Sequence, residues 1–147
     1  MNEGMRSLLD VNVLLALFDP IHIHHERAHR WWSSNAGDGW ATCPITQNGF
    51  LRVVSNPNYP SPIPLSDAQT LLSRQTGAAS HAFWQDTISL TDAAHFDFSL
   101  IRGPKQLTDV YLLALAVSNA GRLVTFDGHI SAAPVIGAEA KHLFILK

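Results

Sequence analysis

Three aspartates and one glutamine, far apart along the chain, carry its oxygen chemistry. Asp10 stands between the apolar runs SLL and VNVLLALF, Gln47 in PITQNGF, Asp109 in LTDVYLLALA and Asp127 in LVTFDG. Carboxylates that meet cannot all stay ionised unaided: two unit charges about 4 Å apart repel by roughly 4 kcal/mol at an effective dielectric of 20. A divalent cation or strong pKa shifts must offset that. A site built of oxygens, with no His or Cys among its members, prefers Mg²⁺ or Mn²⁺, and such a site suits phosphate chemistry. Asp10 is the hardest of the three to read as decoration, because an acid flanked by apolar runs is close to buried and buried acids are seldom left unpaired. Taken singly, Asp109 reads as a favourable first-turn residue and Asp127 as the start of a tight turn with Gly128; together with Asp10 they read as a site.

Two other motifs invite chemistry. His25-Glu26-Arg27-Ala28-His29 satisfies the H-E-x-x-H pattern of zinc hydrolases, which needs a third ligand. None follows: RWWSSN comes next, Arg27 puts a cation inside the motif, and the only other glutamates are Glu3 and Glu139. It reads as an exposed helix start, with His22 and His24 in the preceding turn. Asp10-Val11-Asn12 after a strand is similar to the opening of haloacid-dehalogenase-like phosphotransferases, but those need a second Asp where this chain has Asn12.

The elements that must position these groups alternate. Residues 6–9 read as a short strand, 11–18 as an apolar helix ended by Asp19-Pro20, and 24–35 as a helix with Ala28, Trp31 and Trp32 inward. A strand over 40–43 leads to a helix from Pro44 to about Val54. Residues 56–64, NPNYPSPIP, hold four of the eight prolines and read as an extended loop. Residues 66–76 predict a capped amphipathic helix, 81–90 a strand or two, and 96–103 a loop. Thr108 is the expected N-cap of an apolar helix through Val117, with Gly121 in the left-handed position that ends it. A strand over 122–126, an irregular stretch over 130–140 and a last strand over 142–146 complete the order. Strands alternating with helices predict an α/β fold, a mostly parallel central sheet with helices on both faces. Ligands of such sheets gather beyond the carboxyl ends of the strands. Asp10, Gln47, Asp109 and Asp127 would all face that edge.

The chain has 147 residues, 46% of them hydrophobic, which fits one domain over 1–147 with a sizeable core. Ten basic against twelve acidic residues give a net charge of −2, so no general electrostatic footprint for nucleic acid exists. Any polyanion must be held by a local patch or a metal. The single Cys43 excludes an internal disulfide and suits a cytoplasmic location. No stretch approaches the roughly 20 apolar residues of a membrane span, and no cleavage site follows the amino-terminal segment.

LLDVNVLLALFD, WATCPITQNGFLRVVSNP, LTDVYLLALA and LVTFD, in this order and spacing, resemble a PIN-domain ribonuclease of the VapC toxin type over nearly the whole chain. The resemblance implies a PIN-like three-layer fold, assigns metal-binding roles to Asp10, Asp109 and Asp127, and marks Asn12 and Thr125 as neighbours of the site. It implies metal-dependent endoribonuclease activity on RNA with Mg²⁺ or Mn²⁺, a cognate VapB-type antitoxin, and a homodimer. Where many relatives carry glutamate in the helix after the second strand, this chain has Gln47. Its amide oxygen can still orient a water, but one negative charge is missing, so an inactive PIN fold serving as a protein-binding module is the alternative.

Arg52, and Arg102 with Lys105, are candidate phosphate grips, with a solvated surface face as the rival reading of each. Trp31, Trp32, Trp40 and Trp84 could stack on bases, although aromatic residues at such spacing are more often core. The apolar helices around Val13–Phe18 and 50–54 could offer the antitoxin a groove or be core throughout.

Overall fold

The computed structural model describes residues 4–147; Glu3, one of the two glutamates outside the histidine motif, lies outside it. Five strands form one parallel sheet: β1 (Ser7–Leu9), β2 (Trp40–Thr42), β3 (His81–Phe83), β4 (Arg122–Thr125) and β5 (Leu143–Ile145), in the spatial order β3-β2-β1-β4-β5. Five α-helices connect them: α1 (Val11–Phe18), α2 (His25–Asn35), α3 (Pro44–Val54), α4 (Leu65–Thr76) and α5 (Leu107–Ser118).

The strands are short and apolar on both sides, as expected of a covered parallel sheet. Leu9, Trp40 and Val124 pack with α1 to α4 on one face, whereas Leu8, Ala41 and Leu123 pack with α5 on the other. The second face is completed by irregular segments carrying Trp84, Phe96 and Val135 rather than by more helices. All four tryptophans belong to these cores, so none is a stacking platform.

Two close approaches set how the elements pack, one at each edge of the sheet. A Cβ at Gly49 would stand 2.5 Å from the Val11 side chain, so only glycine lets α3 cross the start of α1 this tightly. Gly121 plays a similar part: a Cβ there would meet the Arg6 carbonyl oxygen at 2.6 Å and the Trp84 ring at 2.6 Å. The expected left-handed helix end falls instead on Ala120, at φ 56°, and Gly121 is required for clearance rather than for its φ.

Other local expectations shift for physical reasons. Thr108 lies inside α5, whose N-cap is Gln106 with no side-chain capping bond. Ser66 likewise falls inside α4, which begins after Pro64 without a side-chain cap. The strand expected over 81–90 stops at Phe83 because its partner β2 offers only three residues to pair with. The proline-rich stretch over 56–64 is compact, not extended: Tyr59 N–H bonds Asn56 O at 2.9 Å and Ile63 N–H returns to Val54 O at 3.1 Å. Asn56 also caps its own turn through Asn58 N–H at 2.9 Å.

The strand order reverses at β1. From it the chain proceeds to β2 and β3 on one side and later places β4 on the other. A crevice at the carboxyl ends of β1 and β4 follows from that reversal.

Candidate active site

Asp10 follows β1 at this reversal point and is 8% exposed. Both carboxylate oxygens are used: Oδ1 accepts Val11 N–H at 2.8 Å, making Asp10 the N-cap of α1, and Oδ2 accepts the Thr125 hydroxyl at 2.8 Å. Burial pushes its pKa up, the Thr125 and Val11 hydrogen bonds pull it back, and the Asp127 charge raises it again.

Thr125, fully buried at the end of β4, is the hub. Its oxygen donates to Asp10 and accepts the Asn12 amide at 3.2 Å and Asp127 N–H at 3.1 Å. Asn12 closes the loop by accepting Phe126 N–H at 3.3 Å. Asn12 and Thr125 therefore tie the ends of β1 and β4 together around the two aspartates. Both ends of the Asn12 amide are spent internally, which leaves position 12 unable to act as the acid of a phosphotransferase.

Asp109 stands in the first turn of α5, half-buried, with no side-chain hydrogen bond among the described residues. The helix start favours its anion, yet burial and then the charges of Asp10 and Asp127 prevail and push its pKa up to about 6. Asp127 spends one oxygen on its own turn, accepting His129 N–H at 2.8 Å with the His129 ring 3.3 Å away. Asp109 and Asp127 share the wall of a cleft of about 180 Å³ with Lys105, Gln106, His129 and Ser131.

The fold thus brings Asp10, Asp109 and Asp127 into mutual electrostatic range. Among the described residues no three His, Cys, Asp or Glu side chains close into a ready metal-holding group; the acids are gathered by field rather than into a cage. Their donor chemistry nevertheless fits a hard divalent cation. The set is all oxygen, and Asp109, raised by burial and then by the charges of Asp10 and Asp127, has no side-chain hydrogen bond among the described residues to absorb its charge.

Gln47 occupies the first turns of α3, which starts from a box in which Cys43 N–H donates to the Thr46 hydroxyl at 3.0 Å. Its amide nitrogen donates to Thr42 Oγ1 at 3.0 Å, and Thr42 in turn meets His81 Nε2 at 2.8 Å. Arg52 is not brought to the acids. It is exposed in the last turn of α3 and lines a groove with Asn56 and Tyr59, whose hydroxyl bonds Asp19 at the far end of α1 from Asp10.

The His25 and His29 rings lie 4.4 Å apart, tilted by 55°, with His25 Nδ1 2.7 Å from Ala16 O, and among the described residues they gather no third ligand. Val13–Leu17, Phe50 and Val54 are buried, so the helices considered for an antitoxin groove are core. A broad apolar concavity of about 850 Å³ lies among Leu90, Phe96, Phe98, Leu107 and Ile136. His129, Thr42 and His81 are polar neighbours that sequence reasoning missed. The Asp-Gly-His run was a signal for the first, whereas nothing in the sequence ties position 81 to position 42.

Comparison with known proteins places this geometry in context. The PIN domain family matches residues 7–136. Ribonuclease VapC44 of Mycobacterium tuberculosis (strain ATCC 25618 / H37Rv) is 54% identical over 142 residues, covering 97% of this chain and all of its own length. Ribonuclease VapC38 of the same strain is 46% identical over 125 residues, covering 84% of this chain and 86% of its own. In fold, the chain is similar to the crystal structure of Mycobacterium tuberculosis VapC20, a Sarcin-Ricin loop cleaving toxin. That match has a TM-score of 0.61 at 16% identity and covers 90% of this chain and 98% of the other.

Proposed function

The chain belongs to the VapC ribonucleases of the PIN-domain family, and from that premise we propose that it is itself a metal-dependent endoribonuclease, the toxin of a type II toxin–antitoxin pair. Its reaction is hydrolysis of RNA phosphodiester bonds. Asp10, Asp109 and Asp127 hold Mg²⁺ or Mn²⁺, and Gln47 assists from the start of α3. The observation that supports this reading is that Asp10 at the end of β1, Asp127 just after β4 and Asp109 in the first turn of α5 stand together at the reversal point of the sheet.

A divalent cation bound there supplies neutralising charge to the scissile phosphate and acidifies water. The chain's own residues do the rest. Thr125 and Val11 hold Asp10 in one orientation, so its charge is fixed before substrate arrives. Asp109, its carboxyl raised by burial and then by the charges of Asp10 and Asp127, would be kept ionised by the cation and serve as one of its ligands. Lys105, on the same cleft wall, offers its ammonium to a phosphate oxygen as a positioning contact.

The partners under this reading are RNA, a VapB-type antitoxin and a second copy of the chain, in the cytoplasm; no described helix is long and apolar enough to cross a membrane. The test is cleavage of an RNA oligonucleotide by purified protein. Cleavage with Mg²⁺ or Mn²⁺, abolished by EDTA and by Asp10→Asn, is the expected result. Cleavage that survives both would refute the assignment.

A further inference from the structure

Three polar side chains from three elements form a chain: His81 at the start of β3, Thr42 at the end of β2, and Gln47 in α3. Thr42 is fully buried and has one hydroxyl proton to give. Two polarities satisfy such a chain. In one, Gln47 donates to Thr42 and Thr42 donates to His81 Nε2. In the other, every bond is reversed, and the amide presents its NH₂ outward.

The surroundings select between them. The Gln47 amide nitrogen, which can only donate, lies 3.0 Å from Thr42 Oγ1, so the one Thr42 proton goes to His81 Nε2 at 2.8 Å and the ring's own proton belongs on Nδ1. Burial first, and the charge of Arg6 last, hold the His81 pKa below its usual value, so the ring is neutral at neutral pH and carries that single proton. Trp40, its ring centroid 4.6 Å from that of His81, packs against the imidazole, and Arg6 donates to the preceding carbonyl, Ser80 O, at 2.7 Å. Nε2 therefore accepts from Thr42, Thr42 accepts from the Gln47 NH₂, and Gln47 Oε1 accepts no hydrogen bond among the described residues.

We propose that Thr42 and His81 are positioning residues for Gln47, and that the His81–Thr42–Gln47 chain sets the polarity of the Gln47 amide so that its carbonyl oxygen, not its NH₂, is offered to the acidic rim. This rests on the reading of Gln47 as an auxiliary of the nuclease site. It gives the neutral glutamine a defined acceptor where a carboxylate would otherwise stand. It also couples position 47 to the tautomer of a histidine two strands away from Asp10: a carboxylate at position 47 has no proton to donate, so Thr42 must donate to it and His81 Nε2 must become the donor.

The experiment is ¹⁵N NMR of the histidine ring nitrogens at neutral pH in the full-length protein, in wild type, Gln47→Glu and Thr42→Val, alone and combined. Wild type is expected to show His81 as the Nδ1–H tautomer and Gln47→Glu to switch it to Nε2–H, and Thr42→Val is expected to abolish the switch. A wild-type Nε2–H tautomer, an unchanged tautomer in Gln47→Glu, or a switch that persists without the Thr42 hydroxyl would each overturn the proposal. In RNA cleavage, Thr42→Val should lower kcat by about tenfold with KM unchanged; an unchanged kcat would remove the positioning role. Should wild-type protein fail to cleave RNA at all, the nuclease reading fails, and the tautomer measurement still decides the relay.

Discussion

The two rims of the sheet treat charge in opposite ways. At the amino-terminal rim, Arg6 donates to the carbonyl oxygens of Trp40 and Ser80, and Arg122 donates to Ser7 Oγ at 3.1 Å and Asn35 Oδ1 at 3.1 Å while lying over the Trp31 and Phe144 rings. Those cations are consumed by the fold: they stitch strands and helix together and leave little to offer a ligand. At the carboxyl-terminal rim, Asp109 has no hydrogen-bonding side-chain partner among the described residues, and its pKa is raised by burial and then by two other acids. Charge that satisfies the structure is stabilising, whereas charge left in mutual repulsion costs stability and is kept for chemistry. Substitutions at the two rims should therefore move stability and activity in opposite directions.

The largest effect belongs to the acids. Asp10→Asn and Asp109→Asn should each lower Mg²⁺- or Mn²⁺-supported RNA cleavage by about 100-fold or more, by analogy with the loss of one preorganised electrostatic group, while circular dichroism stays unchanged. Equal losses from Arg122→Ala would erase the distinction between the rims. That substitution should instead destabilise the protein by about 2 kcal/mol, since two hydrogen bonds from a charged donor and two ring contacts go at once. Chemical denaturation reads the loss, and kcat at a temperature where the variant is folded should stay within about twofold of wild type.

A smaller effect of opposite sign is expected at Asp109. Its folded-state pKa of about 6 lies above the ordinary 3.8, so its favourable contribution is complete below pH 3.8 and is lost as pH rises through about 6. Without divalent cation, Asp109→Asn should gain on the order of 1 kcal/mol at pH 7, after allowing for solvent screening of a half-exposed group, and nothing at pH 3.5. Thermal melts at the two pH values test the sign, and Mn²⁺ should stabilise wild type more than the variant. The smallest effect is expected at the histidine turn, where a His25→Ala, His29→Ala double variant should cleave RNA within about twofold of wild type.

How legible this was in the sequence differs by kind of feature. The alternation of apolar runs and breakers exposes the strand–helix order because burial on both faces demands it, and Asp10 stands out because an acid between SLL and VNVLLALF needs a reason. Caps were less legible. Gln106 and Pro64 start their helices without side-chain bonds, since packing of α5 and α4 outweighs what a cap adds. Gly121 was legible as special but for the wrong cause, as close approach by Arg6 and Trp84 can be seen only in three dimensions. Arg52 shares α3 with Gln47, yet it lies at the other end of that helix from the site, and composition cannot say which end of a helix faces a ligand. The Thr42–His81 contact spans thirty-nine positions and depends on strand register alone.

The most direct test of the account is a crystal of the protein soaked in Mn²⁺ and measured for anomalous scattering. The account predicts a peak bounded by the carboxylates of Asp10, Asp109 and Asp127, absent from an Asp109→Asn crystal treated alike. A peak at His25 and His29 instead, or none at the acids at a Mn²⁺ concentration that supports RNA cleavage in solution, would contradict it.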